Sequence, residues 1–243
     1  MNNFIPTELT EFFWWLKQWT EEAWSQYRTK TFEGFQQACS GGEDWQRGTK
    51  WLDGFSDEEI NSFEQAWRIK FPPDYRQFLR LLGAPDRPMY AVWYTDNSHM
   101  VQGEHPSFYN WRIDGEAIKS ALTWPLEGLL FDVERNNLWL DSWGVRPNDA
   151  GGRQQRLSNL VRDAPVLVPI FGHRYLVGTP VKAGNPVLSV YQSDIIVYGS
   201  DFRNYLIAEL SDLLGFDHQE AWQRAVEGVS ITSTPFWGEI FDR

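Results

Sequence analysis

The 243-residue sequence is poor in the residues that most reactive sites require: one cysteine, Cys39, three methionines and four histidines. A single cysteine excludes an intramolecular disulfide and suits a reducing compartment. As a nucleophile it would need a base, and none is identifiable beside it. The histidines, His99, His105, His173 and His218, are far apart. They form no His-Glu-x-x-His pattern and have no cysteine partners at zinc spacing. A Gly-x-Ser-x-Gly elbow and a phosphate-binding loop are also missing. No catalytic residue, metal or cofactor is therefore expected.

Long apolar runs are scarce too. The best candidates, Phe12–Leu16 and Val166–Phe171, fall far short of the roughly 20 residues that span a bilayer. The first residues carry no basic stretch, and Glu8 and Glu11 interrupt any apolar one, so no secretory signal is expected. These features predict a soluble, cytoplasmic chain. Basic residues are outnumbered, with 22 Lys and Arg against 33 Asp and Glu and a net charge of −11. Such a surface repels phosphate backbones and anionic membranes and attracts a basic protein. The end of the chain concentrates the imbalance: residues 201–243 hold eight carboxylates and three arginines. Asp212, Asp217 and Glu220 are the candidate partner-binding acids there.

What the chain has in abundance is aromatic surface: 14 Trp, 16 Phe and 9 Tyr, 16% of all residues. Aromatics dominate both cores and interfaces. At this length about 70–75% of the unfolded surface can be buried, so neither disulfide nor metal is needed for stability. Leu9, Phe12, Phe13, Leu16, Trp19, Ala23, Trp24 and Tyr27 follow the helical period. Residues 1–40 therefore read as a helical extension, bounded by the Gly-rich stretch Ser40–Asp44.

Ser56-Asp57-Glu58-Glu59 is a capping box, with Ile60, Phe63 and Trp67 expected on the buried face behind it. Pro72 and Pro73 end that helix near Phe71, and Pro73 opens a second one, stopped at Gly83. Tyr90–Tyr94 and Asn137–Trp143 are expected strands. Asp114–Leu122 and Arg153–Arg162 are expected helices. After Pro165 come strands at Val166–Phe171, Tyr175–Val177, Val187–Tyr191 and Ile195–Tyr198. Helices at Phe202–Leu214 and His218–Val226 close the chain. The order helices, strands, helices argues for an α+β domain.

Two constellations suggest sites. Glu127, Asp132, Glu134 and Asp141 lie near Trp124, Trp139 and Trp143. Paired carboxylates with aromatic platforms are what a carbohydrate-active or carbohydrate-binding protein needs. Gly172-His173-Arg174-Tyr175 falls in a turn between two strands, where His173, Arg174 and Tyr175 would be exposed to a partner.

The run Gly54-Phe55-Ser56-Asp57-Glu58-Glu59-Ile60 through Phe63-Glu64, then Phe71-Pro72-Pro73-Asp74-Tyr75 to Phe78-Leu79 and Gly83, resembles the signature of the SUKH superfamily. Tyr198-Gly199-Ser200-Asp201-Phe202 and Tyr205-Leu206 are similar to that family's close. Trp143-Gly144-Val145-Arg146-Pro147 and Gly172–Leu176 look like those of a bacterial branch. The resemblance spans about residues 45–210. It implies that residues 41–243 form a SUKH-like α+β domain, a mixed, mainly antiparallel sheet flanked by helices. It implies no catalytic residues. Members are mostly bacterial immunity proteins that neutralise toxins, many of them nucleases, and fungal relatives are adaptors in cell-wall regulation. The expected partner is thus a basic protein toxin.

Overall fold

The computed structural model describes residues 5–38, 42–95, 98–229 and 234–241. Cys39, Ser40, Gly41 and Asp242 lie outside them. Helix α1, Leu9–Gln26, starts where the Glu8 carboxylate accepts the Glu11 N–H at 2.9 Å. Its stripe of Phe12, Phe13, Leu16 and Trp24 is fully buried, while Trp14 on the opposite side is half exposed. Thr20, on the buried stripe, accepts the Trp51 indole N–H at 2.8 Å, so that ring is buried without an orphaned donor. A short helix α2, Phe32–Gln37, leads to strands β1, Gly42–Asp44, and β2, Trp51–Asp53.

Helices α3, Asp57–Trp67, and α4, Pro73–Leu81, follow. The capping box forms as expected, with both reciprocal bonds present. The end of α3 comes sooner than Phe71: Arg68 takes a left-handed conformation (φ 54°) and closes the helix at Trp67. Trp67 is correspondingly half-buried, and the place expected for it beside Ile60 is taken by Glu64. Pro73 occupies the first turn of α4. Gly83 is not the stop of α4, which passes directly into strand β3, Leu82–Pro85. A Cβ at Gly83 would come 2.7 Å from the Asp53 carbonyl oxygen, so the glycine lets β3 approach β2.

Strands β4, Met89–Tyr94, and β5, Met100–His105, form an antiparallel sheet in the order β1-β4-β5. Helix α5 is far longer than the expected segment, running Gly115–Arg135 through Pro125. Proline lacks an N–H and frees the carbonyl four residues earlier. Here that carbonyl, Ala121 O, accepts the Tyr175 hydroxyl at 2.8 Å, and the helix continues. Asp114 precedes α5, but its carboxylate accepts the Asn110 N–H instead of capping the helix. The expected strand Asn137–Trp143 is absent; its bonds are local, Trp143 N–H to Leu140 O and Gly144 N–H to Asp141 O, in a single 3₁₀ turn. Helix α6, Ala150–Asp163, is capped by Asp149.

Strands β6, Leu167–Phe171, β7, Arg174–Val177, β8, Val187–Tyr191, and β9, Asp194–Gly199, make an antiparallel meander in sequence order. Its two faces are both buried, which is why these strands read as continuous apolar runs. Val168, Ile170, Leu176 and Val187 join one hydrophobic cluster with α1, α3, α4 and helices α7, Phe202–Glu209, and α8, Ser211–Leu214. Leu167, Tyr175, Val177, Leu188 and Val190 join another with α6 and helix α10, Trp237–Phe241. Between α8 and α10 runs α9, His218–Ala225. The segment expected as one helix over Phe202–Leu214 is thus broken at Leu210. Helix α5 serves both clusters, the first through Ile118 and Ala121 and the second through Leu129 and Val133. The architecture is α+β, with antiparallel pairing throughout the described strands.

Candidate functional site: an aromatic cleft

The β6–β7 hairpin turns in two residues, Gly172 and His173, with Phe171 opposite Arg174. Gly172 has φ 49°, the left-handed conformation that tight hairpins of this kind demand and glycine adopts without strain. This turn lines a cleft of about 680 Å³. Glu43 of β1, His105 at the end of β5, Trp124 of α5 and Tyr191 of β8 line it too. The Trp124 and Tyr191 rings lie 6.0 Å apart, and His173 meets Tyr191 edge-on at 6.2 Å. Tyr109 lines the interior and donates to the Gly172 carbonyl at 3.2 Å.

The three residues expected on this turn all line the cleft, but they are not equally available. His173 keeps solvent contact. Its imidazole is held below its ordinary pKa, chiefly by desolvation and then by Arg174, with Asp194 opposing. Tyr175 corrects the expectation of exposure: it is buried, because its hydroxyl closes the bond to Ala121 that Pro125 leaves open. Arg174 is largely buried as well. Its guanidinium stacks on the Tyr198 ring at 3.7 Å, donates to Ser189 Oγ at 2.8 Å and pairs with Glu209 at 3.4 Å.

Beneath the cleft this pair is incompletely satisfied. Arg174 Nε, Glu209 Oε2 and the Tyr205 hydroxyl are buried and have no hydrogen bond of good geometry. Burial pushes the Glu209 carboxyl above its usual range, and Arg174 offsets this only in part. The Tyr205 phenol is pushed well above its ordinary value, again chiefly by burial. Glu209 therefore does not belong to the acidic surface expected of residues 201–243.

Asp212, Asp217 and Glu220 are not brought to the cleft. All three are exposed. Asp217 caps α9 by accepting the Glu220 N–H at 2.9 Å, and the Glu220 side chain faces Arg224 at 3.6 Å. Asp217 and Glu220 border a smaller pocket of about 210 Å³ with Phe216 and Ile207.

Within the carboxylate–tryptophan constellation Glu127 and Asp141 are exposed, and the other two acids are already engaged. Asp132 is buried and accepts from the Ser193 N–H and hydroxyl and from Asn136. Glu134 is clasped by Arg153, which holds its carboxyl below the usual range, the reverse of what a general acid needs. Trp143 is buried, and Trp139 packs on it edge-on while donating to Gly144 O. Of that group Trp124 alone lines the cleft. Glu43, His105, Tyr109 and Tyr191 carry no shared spacing by which a sequence could group them; they come from four separate segments.

Among the described residues no three His, Cys, Asp or Glu side chains are grouped so as to hold a metal ion. No described helix is long and apolar enough to cross a membrane.

Residues 54–148 match the model of the SMI1 / KNR4 family (SUKH-1). Neither a curated protein nor a solved structure matches the chain. The matched stretch runs from three residues before α3 to the loop before α6, so it contributes His105, Tyr109 and Trp124 to the cleft and leaves Glu43, the β6–β7 turn and Tyr191 outside.

Proposed function

We propose that this chain, a member of the SUKH superfamily through residues 54–148, works by binding another protein and carries out no catalysis. Its partner is a basic toxin, which it neutralises in the cytoplasm by covering a surface the toxin needs. The observation that carries this reading is how the signature residues are used. Ser56 and Glu59 cap α3. Glu64 ties α3 to α4 by accepting from Lys70 at 2.7 Å and from the Phe71 N–H at 3.0 Å and by pairing with Arg76 at 2.9 Å. Asp74 holds the loop before β8 through the Gly184 N–H, and the Tyr75 hydroxyl accepts the Trp111 indole N–H. These signature residues of α3 and α4 are therefore committed to scaffolding, and recognition falls to the surface they support.

That surface belongs to a chain of net charge −11 and exposes Trp14, Trp93, Tyr94, Trp124 and Tyr191. Opposite charge raises association rates from about 10⁵–10⁶ toward 10⁸ M⁻¹s⁻¹ at low salt, and aromatic anchors then slow dissociation. The carbohydrate-active alternative keeps only two of its four carboxylates uncommitted, Glu127 and Asp141, since Asp132 and Glu134 are engaged by Ser193 and Arg153.

The test is co-expression with the toxin-like product of a neighbouring gene, scored by survival and by co-purification. Rescue with a co-purifying complex supports the reading; a toxin that kills equally well with and without this protein refutes it. In the complex, Asp212→Lys with Glu220→Lys should slow association more than it speeds dissociation. Asp217 is best spared because it caps α9.

A further inference from the structure

The chemistry of the cleft is one-sided. Trp124 and Tyr191 both line it and are 39% and 52% exposed. Glu43 adds a carboxylate that is 37% exposed, with His105 Nδ1 3.4 Å away and making no hydrogen bond. Among the described lining residues Arg174 is the sole lysine or arginine. Its charge is answered by Glu209, its N–H by Ser189 and its face by Tyr198. Exposed aromatic rings, an exposed carboxylate and a cation already paired with Glu209 favour a positive guest and disfavour a negative one. The volume, about 680 Å³, lies within the range of sites that enclose a ligand and exceeds what one long side chain needs.

We propose that this cleft receives an arginine or lysine side chain of the basic partner, the cation lying against Trp124 and Tyr191 and its charge answered by Glu43. The inference rests on the protein-binding reading and gives it an anchor point. Arginine is enriched at interface hot spots because its plane stacks on aromatic rings while its edge meets a carboxylate. The cleft is lined by both kinds of group. The acids of α8 and α9 would then steer the approach, and the cleft would hold the guest.

The experiment uses the full chain labelled with ¹⁵N and follows the tryptophan indole signals, Trp124 being assigned by Trp124→Phe. N-acetyl-arginine amide and N-acetyl-lysine amide are titrated against N-acetyl-citrulline amide, which matches the arginine probe in shape and lacks its charge. Both cationic probes should shift the Trp124 signal, with citrulline binding about fivefold more weakly or worse. Glu43→Gln should weaken the cationic probes about fivefold and leave citrulline unchanged. Both positions are exposed, so the variants are expected to fold, and far-ultraviolet circular dichroism checks this. Equal binding of citrulline and arginine, a shift produced by a neutral oligosaccharide and by neither cation, or no shift with any probe would each overturn the proposal. A toxin neutralised with unchanged affinity by Trp124→Ala and Glu43→Gln would sink the cleft as anchor while the protein-binding reading stands. Cation binding at Trp124 in a chain that rescues no toxin would do the reverse.

Discussion

Glu64 in the α3–α4 pair and Glu209 beneath the cleft are both glutamates withdrawn from solvent, with side chains 3% and 14% exposed, and their surroundings treat them in opposite ways. Burial pushes the carboxyl of Glu64 up, but Lys70, the Phe71 N–H and Arg76 together outweigh it and hold the group below its usual range. Glu209 feels the same push, and its guanidinium partner stands 3.4 Å away; Arg174, Tyr205 and His218 do not outweigh burial, so its carboxyl ends above that range. A buried carboxylate stabilises a fold when cations and N–H groups saturate it, and burdens the fold when they do not. The helix pair is thus a latch. Glu209, behind the lining residue Arg174, is a polar group with unmet bonding capacity.

The sharpest way to break the comparison is to remove the latch. Glu64→Ala leaves the buried Phe71 N–H without an acceptor and sets Arg76 and Lys70 near one another without their shared anion. A loss of about 3 kcal/mol is expected in denaturant titration. A loss under about 1 kcal/mol would show that the carboxylate is dispensable and that the pair is held by its apolar contacts alone.

Glu209→Gln probes the other side and should cost less, about 1–2 kcal/mol. The amide keeps the volume and one acceptor, and Arg174 retains Ser189 and the Tyr198 ring. A cost equal to that of Glu64→Ala would mean that the Arg174–Glu209 pair is as fully saturated as the latch, against its geometry.

The two regions also differ in how far the sequence discloses them, and the reason is range. Ser56 with Glu59, Pro73 at the start of α4 and the stripe of α1 are signals confined to a few neighbouring residues, and each is found where expected. The errors fall where a distant residue decides. The helix expected over Asp114–Leu122 runs on through Pro125 because Tyr175, 54 residues beyond Ala121, takes the carbonyl that the proline frees. Gly83 reads as a cap until β2 is seen lying against it. Asn137–Trp143 alternates like a strand, yet no neighbouring strand pairs with it and its bonds close locally. The cleft is the extreme case: His173 and Arg174 were legible as turn residues, whereas Glu43, Tyr109, Trp124 and Tyr191 reach it by topology alone.

The smallest expected effect, and the most specific, is on pH dependence. For Glu64 the folded pKa is depressed, so its contribution is complete above the unfolded value of about 4.3 and is lost as pH falls through the lower folded value. For Glu209 the folded pKa is raised. Its contribution is complete below about pH 4.3 and is lost as pH rises through the higher folded value. The stability difference between the parent chain and Glu64→Gln should therefore shrink on acidification, while the difference for Glu209→Gln should move in favour of the parent chain. Urea midpoints measured from neutral pH downward, on both variants and the parent, give the two slopes directly. Opposite signs sustain the contrast between a saturated and an unsaturated buried carboxylate. Slopes of the same sign would mean that Glu209 is ionised as comfortably as Glu64, and that its pairing with Arg174 is saturated after all.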